Sequence, residues 1–183
     1  MTRNPKEQTL LYANLAVPLL VKRLKNGEGL PLPRYHSAEA AGFDLCAAFH
    51  DQNAVAVLRA GEQINIGCGF AFHIPPGFSL EIRPRSGLAF KYGVTIQNSP
   101  GTIDADFRGE IVIMLARPLA PMPPMANGAQ PIETRLNRID LSIKHGERIA
   151  QAVVMPIFKA YITETEELDE TERGTRGLGS TGV

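Results

Sequence analysis

The chain has 183 residues, 44% of them hydrophobic, which suffices for one domain with a buried core and leaves little room for a second. Its 19 Lys and Arg residues balance 19 Asp and Glu residues, so net charge attracts no polyanion and nucleic acid is not the expected ligand. The two cysteines, Cys46 and Cys68, have neither a CxxC nor a Cys/His ligand spacing. This argues against zinc and a disulfide framework and favours the reducing cytoplasm.

The first 15 residues are interpreted as an N-terminal extension that leads into a first strand. Residues 10–21 are apolar and superficially like a signal peptide, but Asn14 and Pro18 interrupt them and no small-residue cleavage site follows. No apolar run reaches the ~20 residues that a membrane-spanning helix needs, so we expect no membrane partner. The folded domain is expected to occupy residues 16–162.

Alternating apolar residues predict a β protein. From Ile64 to Ile74 every second residue is apolar, which is typical of a strand with one buried face. Alternation returns at Phe78, Leu80 and Ile82. Short apolar stretches bounded by Gly, Pro or charge lie at residues 55–58, 111–115, 141–143 and 152–157. Helical spacing is confined to a short piece near residues 86–91. The predicted fold class is all-β, a sandwich or jelly roll.

The segment PRSGLAFKYG (residues 84–93) carries a candidate anion site. Arg85 offers a guanidinium group, Ser86 a hydroxyl and Gly87 an unobstructed backbone, the ingredients of a phosphate-binding nest at the start of a short helix. The alternative for an isolated Arg-Ser-Gly is an ordinary capped turn.

The segment GTIDADFRGE (residues 101–110) places Asp104 and Asp106 two residues apart. On an extended backbone both carboxylates would lie on one face, followed directly by Phe107 and Arg108. The alternative is that both acids are turn residues without a chemical role.

Two segments depart from the strand pattern. Residues 118–131 contain five prolines and are interpreted as an exposed loop insertion. Residues 163–183 begin with an acid-rich stretch and end in glycines, which predicts a flexible C-terminal arm. The arm has the glycine spacing of a P-loop, but Ser180 stands where the P-loop lysine would be.

Taken together, five segments resemble the five ordered motifs of the trimeric deoxyuridine triphosphatases. They are AGFDLCAA (residues 41–48), PRSGLAFKYG (84–93), GTIDADFRGE (101–110), GERIAQAVVMPI (146–157) and RGTRGLGSTG (173–182). The resemblance implies a jelly-roll, β-clip-like subunit in a homotrimer, with active sites at the subunit interfaces and Mg²⁺ as cofactor. It also implies hydrolysis of dUTP to dUMP and pyrophosphate, which supplies dUMP for thymidylate synthesis and keeps uracil out of DNA.

The resemblance also implies a role for individual residues. Asp104 falls on the catalytic aspartate that holds and deprotonates the attacking water, and Asp44 on the acid that reaches Mg²⁺ through water. Asn98 falls on a uracil contact, and Phe107 stands where a tyrosine usually stacks under the sugar. The remaining implied substrate-binding residues are Arg85, Ser86, Gly87, Gly101, Thr102, Ile103, Gln151, Arg173, Leu178, Gly179 and Ser180.

The arm departs from the family pattern at two positions. Leu178 stands where an aromatic ring usually closes over uracil, and Arg176 stands at a position that is usually glycine. Loss of ring stacking is worth on the order of 1 kcal/mol, so arm closure is expected to be weaker than usual, although Arg176 adds a potential phosphate contact.

Two other functions fit the same scaffold. A deoxycytidine triphosphate deaminase would need its own catalytic acid, and the uracil-type motifs with a complete phosphate arm argue against it. A non-catalytic nucleotide sensor would not need Asp104 and its neighbours. Neither cysteine has a histidine base nearby in sequence, so both are interpreted as core residues, and the four histidines as surface or loop residues.

Overall fold

Residues 16–119 and 140–176 are described by a computed structural model, and they contain ten strands, a 3₁₀ helix and one α-helix. The strands are β1 (Leu20–Arg23), β2 (Phe43–Cys46), β3 (Val55–Leu58), β4 (Gln63–His73), β5 (Phe78–Arg83), β6 (Thr95–Ile96), β7 (Gly101–Ile103), β8 (Glu110–Ala116), β9 (Leu141–Lys144) and β10 (Arg148–Pro156). The 3₁₀ helix is Lys25–Gly27, and the α-helix, α1, is Ser86–Tyr92. The predicted all-β fold class is confirmed.

The strands form two four-stranded antiparallel sheets and a two-stranded ribbon. Sheet A has the order β1-β4-β8-β6, sheet B has the order β2-β10-β5-β7, and β3 pairs with β9. Apolar side chains of both four-stranded sheets belong to one core cluster, which includes Phe70 and Ile113 from sheet A and Leu80 and Ala152 from sheet B. Two sheets that share one core in this way form a sandwich, as in a jelly roll.

Strand β4 follows the predicted alternation only as far as Gly67. A β-bulge shifts the register between Gly67 and Ala71, and Gly69 takes a positive φ of 76°. Phe70, Ala71 and Phe72 are all buried, so the expectation of a single buried face is wrong for this half of the strand. The reason is that the 3₁₀ helix covers the second face, where a Cβ on Gly69 would lie 2.5 Å from the Cα of Gly27.

Helix α1 confirms the one helix that the sequence predicts. It ends at Gly93, whose φ of 65° is left-handed and whose N–H donates to the carbonyl oxygens of Ala89 and Leu88. No residue of α1 is buried, which explains its weak apolar periodicity. The helix therefore presents Ser86 and Gly87 on the surface immediately after β5.

Candidate active site

A row of polar side chains crosses the outer face of sheet B. Gln151 in β10 is paired with Asp44 in β2 on one side and with Arg83 in β5 on the other. Because directly paired residues of antiparallel strands project to the same face, these three side chains lie in one row. The Gln151 amide also donates to the carbonyl oxygen of Pro84 (2.9 Å), which ties the row to the start of α1.

Asp44 is the centre of an ion-pair cluster. Its Oδ1 accepts a hydrogen bond from Arg85 Nε (3.0 Å), and its Oδ2 accepts one from Arg148 Nη1 (3.1 Å). Arg85 Nη1 also donates to the carbonyl oxygen of Arg148 (2.9 Å), and His36 Nε2 lies 3.2 Å from Asp44 Oδ2. One carboxylate faces two guanidinium groups here, which leaves a surplus of positive charge for an anion.

The sequence analysis missed Arg148 and His36. Arg148 lies in the same motif as Gln151, but it reaches Asp44 only because a register shift in β10 brings it opposite Cys46. His36 lies in a loop, as expected, and no sequence signal indicates its carboxylate neighbour. His145 was expected only to be a surface or loop residue, but its Nδ1 accepts a hydrogen bond from the Phe49 N–H (3.1 Å).

The two thiols are poor nucleophiles. Burial is the largest cause that raises the pKa of Cys46, and the nearby Asp44 carboxylate raises it further. The guanidinium groups of Arg148 and Arg85 lower it, but by less. Burial raises the pKa of Cys68 to about 12. Both thiols are therefore protonated at neutral pH, which supports their interpretation as core residues.

An open groove of about 460 Å³ runs beside this cluster. It is lined by Glu81, Arg83, Pro84, Ser86, Ala89, Ser99, Pro100 and Gln151. The groove brings together Ser86 and Gln151, two of the residues implied to bind phosphate. Sequence reasoning did not single out Arg83 or Glu81, whose side chains form an ion pair at its wall (2.6 Å).

Asn98 and Gly101 form a tightly packed pair at the start of β7. Gly101 is buried, and a Cβ at this position would lie 3.1 Å from the Asn98 side-chain nitrogen. The absence of a side chain at Gly101 therefore gives the Asn98 amide its space. Thr102 and Ile103 continue β7 and pair with Glu81 and Leu80 of β5.

Asp104 begins a turn directly after β7. The Phe107 N–H donates to the Asp104 carbonyl oxygen (3.2 Å), so the backbone turns here and is not extended through Asp104 and Asp106. The reason is topological, because the chain must leave sheet B after Ile103 and enter sheet A at Glu110. Asp104, Asp106 and Phe107 are all exposed.

The single chain does not bring Asp104 to the Asp44 cluster. Strands β2 and β7 are the opposite edges of sheet B, three strand spacings or about 14 Å apart. Asp104 also follows the Ile103–Leu80 pair, whereas Asp44 is level with Arg83, so the two differ by about 13 Å along the strands. Their backbones are therefore on the order of 20 Å apart.

The described part of the arm is exposed and bonded to itself. Arg173 Nε donates to the carbonyl oxygen of Arg176 (3.1 Å), and Arg176 Nε donates to that of Arg173 (3.0 Å). Leu178, Gly179 and Ser180 lie outside the described residues, as does the loop insertion beyond residue 119.

Residues 16–119 and 140–176 contain neither a membrane-crossing helix nor a cluster of metal ligands. No helix in these ranges has the length and apolarity needed to cross a bilayer. They also contain no group of three or more His, Cys, Asp or Glu side chains arranged to hold a metal ion.

Comparison with known proteins identifies close relatives. The dUTPase family model matches residues 28–118 and 134–182. The deoxyuridine 5'-triphosphate nucleotidohydrolase of Rhizobium etli is 47% identical over 161 residues, covering 88% of this chain and 91% of the relative. That of Rhizobium leguminosarum bv. trifolii is 42% identical over 173 residues, covering 94% and 99%.

Solved structures show the same fold. A point mutant of the Staphylococcus bacteriophage 80alpha dUTPase with dUpNHpp has a TM-score of 0.66 and 26% identity, covering 91% of this chain and 99% of its own. A mutant dUTPase from phage phi11 of S. aureus, in which the coordination of a structural Mg(II) ion was described, has a TM-score of 0.60. It is 24% identical and covers 82% of this chain and 97% of its own, so it supports the fold alone.

Proposed function

The chain belongs to the dUTPase family, and we propose that it hydrolyses dUTP to dUMP and pyrophosphate at a site assembled from different subunits. The family match over most of the chain supports the activity. The separation of Asp104 from the Asp44 cluster is the observation that supports a site built from different subunits. Each chain then supplies a phosphate-binding part around Gln151 and a nucleoside-binding part around Asp104.

The phosphate-binding part would use the groove beside α1. Arg85 and Arg148 supply the surplus positive charge, while the Ser86 hydroxyl and the Gln151 amide offer uncharged hydrogen-bond partners. A Cβ added at Gly87 would meet nothing within 4 Å, so a phosphate has room to approach the backbone there. Arg173, from the arm, would add charge at the terminal phosphate.

The family uses a divalent metal ion, and Mg²⁺ fits the residues present. Mg²⁺ prefers one or two carboxylates together with phosphates and water to an all-protein cage. Asp44 offers such a carboxylate at the edge of the phosphate groove, and no three-ligand cluster competes with it within the described ranges. When bound, the ion would neutralise charge on the phosphates, and Asp44 would hold it through a water molecule.

The nucleoside-binding part would position the attacking water relative to the α-phosphorus. Asp104 accepts a proton from the attacking water and orients it towards the α-phosphorus. A carboxylate is a weak base, so most of the rate enhancement must come from alignment and from the arginines that neutralise the leaving pyrophosphate. No covalent intermediate is needed.

Base and sugar specificity would follow from β7 and the residues on either side of it. Asn98 and the backbone of residues 101–103 would pair with the uracil edge, which cytosine cannot match without leaving polar groups unpaired, at about 1–3 kcal/mol each. Phe107 would lie under the deoxyribose and exclude a 2'-hydroxyl.

A homotrimer is supported by the apolar segment that follows β10. Phe158 and Tyr161 are each 96% exposed and Ile162 is 90% exposed. Such a stretch on a protein surface is typical of a contact with another chain. An apolar groove of about 740 Å³ between the β1 and β2 edges offers a complementary surface on a neighbouring copy. In this arrangement the arm, which follows the segment, would also reach a neighbour.

The activity is tested by measuring pyrophosphate release from dUTP, dCTP and UTP, with the base of each product identified. We expect rapid release from dUTP and much slower release from the other two. Conversion of dCTP to a uracil product would indicate the deaminase, and binding of dUTP without pyrophosphate release would indicate the sensor.

A further inference from the structure

The turn that carries Asp104, residues 104–109, has two stems in different sheets. Its first stem is β7, which is held by pairing with β5. Its second stem begins at Glu110, the first residue of β8, which pairs with Ala71 of β4. The position of Asp104 therefore depends on how both stems are fixed.

Glu110 fixes the second stem with its side chain. Its Oε1 accepts hydrogen bonds from the Asn26 side-chain amide (2.7 Å) and from the Gly69 N–H (2.7 Å). Asn26 is only 8% exposed, so its amide has little access to water as an alternative partner. These two bonds connect the turn to the 3₁₀ helix and to the β4 bulge.

Three glycines, which we call the glycine cradle, make room for this carboxylate. A Cβ at Gly67 would lie 2.2 Å from Glu110 Oε1, and a Cβ at Gly27 would lie 2.2 Å from the carbonyl oxygen of Gly69. The cradle (Gly27, Gly67 and Gly69) thus brings two backbone segments together around Glu110 at distances that side chains would prevent.

The turn is also braced internally. Arg108 Nη1 donates to the carbonyl oxygens of Ala105 (2.6 Å) and Phe107 (2.9 Å). The Phe107 ring packs against Gly109, where a Cβ would lie 2.6 Å from the ring. Because the turn is cross-linked in this way, we expect a displacement at Glu110 to shift Asp104 as well.

We propose that Glu110 is a positioning residue, which holds Asp104 in its reactive place through the glycine cradle and Asn26. This inference rests on the proposed function, since it takes Asp104 as the group that orients the attacking water. Misplacement by about 1 Å can lower a rate about a hundredfold, so loss of the anchor acts on the chemical step. The β7 backbone that would contact uracil is paired with β5, so the uracil contact should change less than the alignment of Asp104.

The test compares Glu110→Ala with Glu110→Gln. We expect the alanine variant to lose at least about tenfold in kcat while KM for dUTP stays within about threefold. The glutamine variant keeps an oxygen that can accept both hydrogen bonds, so it should retain most of kcat. Glu62→Ala, which removes a carboxylate that accepts the Arg59 N–H (3.0 Å) in a distant turn, is the matched control and should leave both parameters unchanged.

Asn26→Ala tests the same anchor with Glu110 left in place. It removes one of the two hydrogen bonds, so kcat should fall severalfold and KM should stay close to normal, even if the Glu110→Ala protein does not fold. Thermal unfolding of each variant shows whether the folded trimer is present during the assay.

Normal kcat in the Asn26→Ala variant, or equal losses in the alanine and glutamine variants at Glu110, would overturn the inference. Its failure is distinguishable from failure of the proposed function, because the latter is tested by Asp104→Asn. A dead Asp104→Asn enzyme with normal Glu110 and Asn26 variants would refute only the positioning role.

Discussion

At the scale of single residues, the main charged feature is one carboxylate that binds two arginine side chains. Asp44 is shared between Arg85 and Arg148, and the latter's backbone carbonyl also accepts a hydrogen bond from Arg85. The two arginines are thereby held side by side, and the single carboxylate neutralises only part of their charge. This arrangement suits a polyphosphate better than either arginine alone would, because orientation is established before the ligand arrives.

Replacing Asp104 with asparagine tests the proposed base. The amide keeps the shape of the carboxylate and loses the proton acceptor, so turnover should fall by about 10²–10⁴-fold or more while dUTP binding stays within about tenfold. Single-turnover pyrophosphate release and calorimetric binding of a non-hydrolysable dUTP analogue measure the two effects.

Asp106→Asn is the matched control, since Asp106 is exposed in the same turn. It should leave kcat close to normal. Near-normal turnover with Asp104→Asn, or an equal loss with Asp106→Asn, would contradict the assignment of Asp104.

Replacing Arg148 with alanine tests the charge cluster. The backbone carbonyl that holds Arg85 remains, but Asp44 loses a donor and the groove loses a positive charge. We expect KM for dUTP to rise about tenfold, or about 1.4 kcal/mol, with little change in thermal stability because the pair is partly exposed.

Arg59→Ala provides the comparison, because Arg59 forms exposed ion pairs with Glu62 and Asp140 away from the groove. Steady-state kinetics on both variants at one ionic strength should separate them. If KM is the same in the two, Arg148 contributes nothing to substrate binding.

At the scale of elements, the bulge in β4 makes the two sheets and the 3₁₀ helix interdependent. Gly69 combines a left-handed backbone with close contact to Gly27, and its N–H is the one that binds Glu110. A single residue of β4 thus supports core packing and the stem of the Asp104 turn.

Gly69→Ala should therefore destabilise the protein strongly. Its Cβ would lie 2.5 Å from the Gly27 Cα and 2.9 Å from the Ala48 Cβ, in addition to the strain of a positive φ. We expect a loss of about 3 kcal/mol in the free energy of unfolding, measured by urea denaturation at a fixed protomer concentration.

Gly77→Ala measures the cost of a positive φ without a steric clash. Gly77 has a φ of 87°, but a Cβ there would meet nothing within 4 Å, so only about 1 kcal/mol should be lost. Equal destabilisation of the two variants would show that the contact with Gly27 relaxes without penalty.

At the scale of the whole molecule, Asp44 in β2 and Asp104 just after β7 lie at opposite edges of one sheet. We therefore expect a substrate that touches both to bind between chains. The apolar segment after β10 and the acid-rich linker beyond it, which precede the arm, are exposed.

A mixing experiment tests whether sites are shared. Subunits with Asp104→Asn and an intact arm are unfolded and refolded together with subunits that lack residues 173–183 but keep Asp104. Some mixed trimers then combine a normal aspartate with a normal arm, so activity should exceed that of both parents. Pyrophosphate release measures the gain, and mass spectrometry verifies the mixed trimers.

Mixing Asp104→Asn subunits with arm-truncated subunits that also carry Asp104→Asn is the control, and it should give no gain. If confirmed mixed trimers of the first kind remain at the parental level, each site is built within a single chain.

Local sequence patterns determined most of the strands and the one helix. Strand alternation at Ile64–Ile74 and the confinement of helical spacing to residues 86–91 depend on neighbours in the chain, so the apolar pattern reveals them without tertiary information. The motif residues around Arg85 and Asp104 were also predicted, because their resemblance to the family is local.

Only the tertiary structure decided how these residues meet. Asp44 reaches Arg148 across a β10–β2 register shift, Glu110 reaches Asn26 through the glycine cradle, and Asp104 lies far from the Asp44 cluster. After the β4 bulge both faces of the strand are buried, which alternation alone cannot show. The physical reason is that the burial of a strand residue can be predicted from the alternation of its neighbours in the sequence. Charge pairing instead depends on strand register, which is set by contacts between distant parts of the chain.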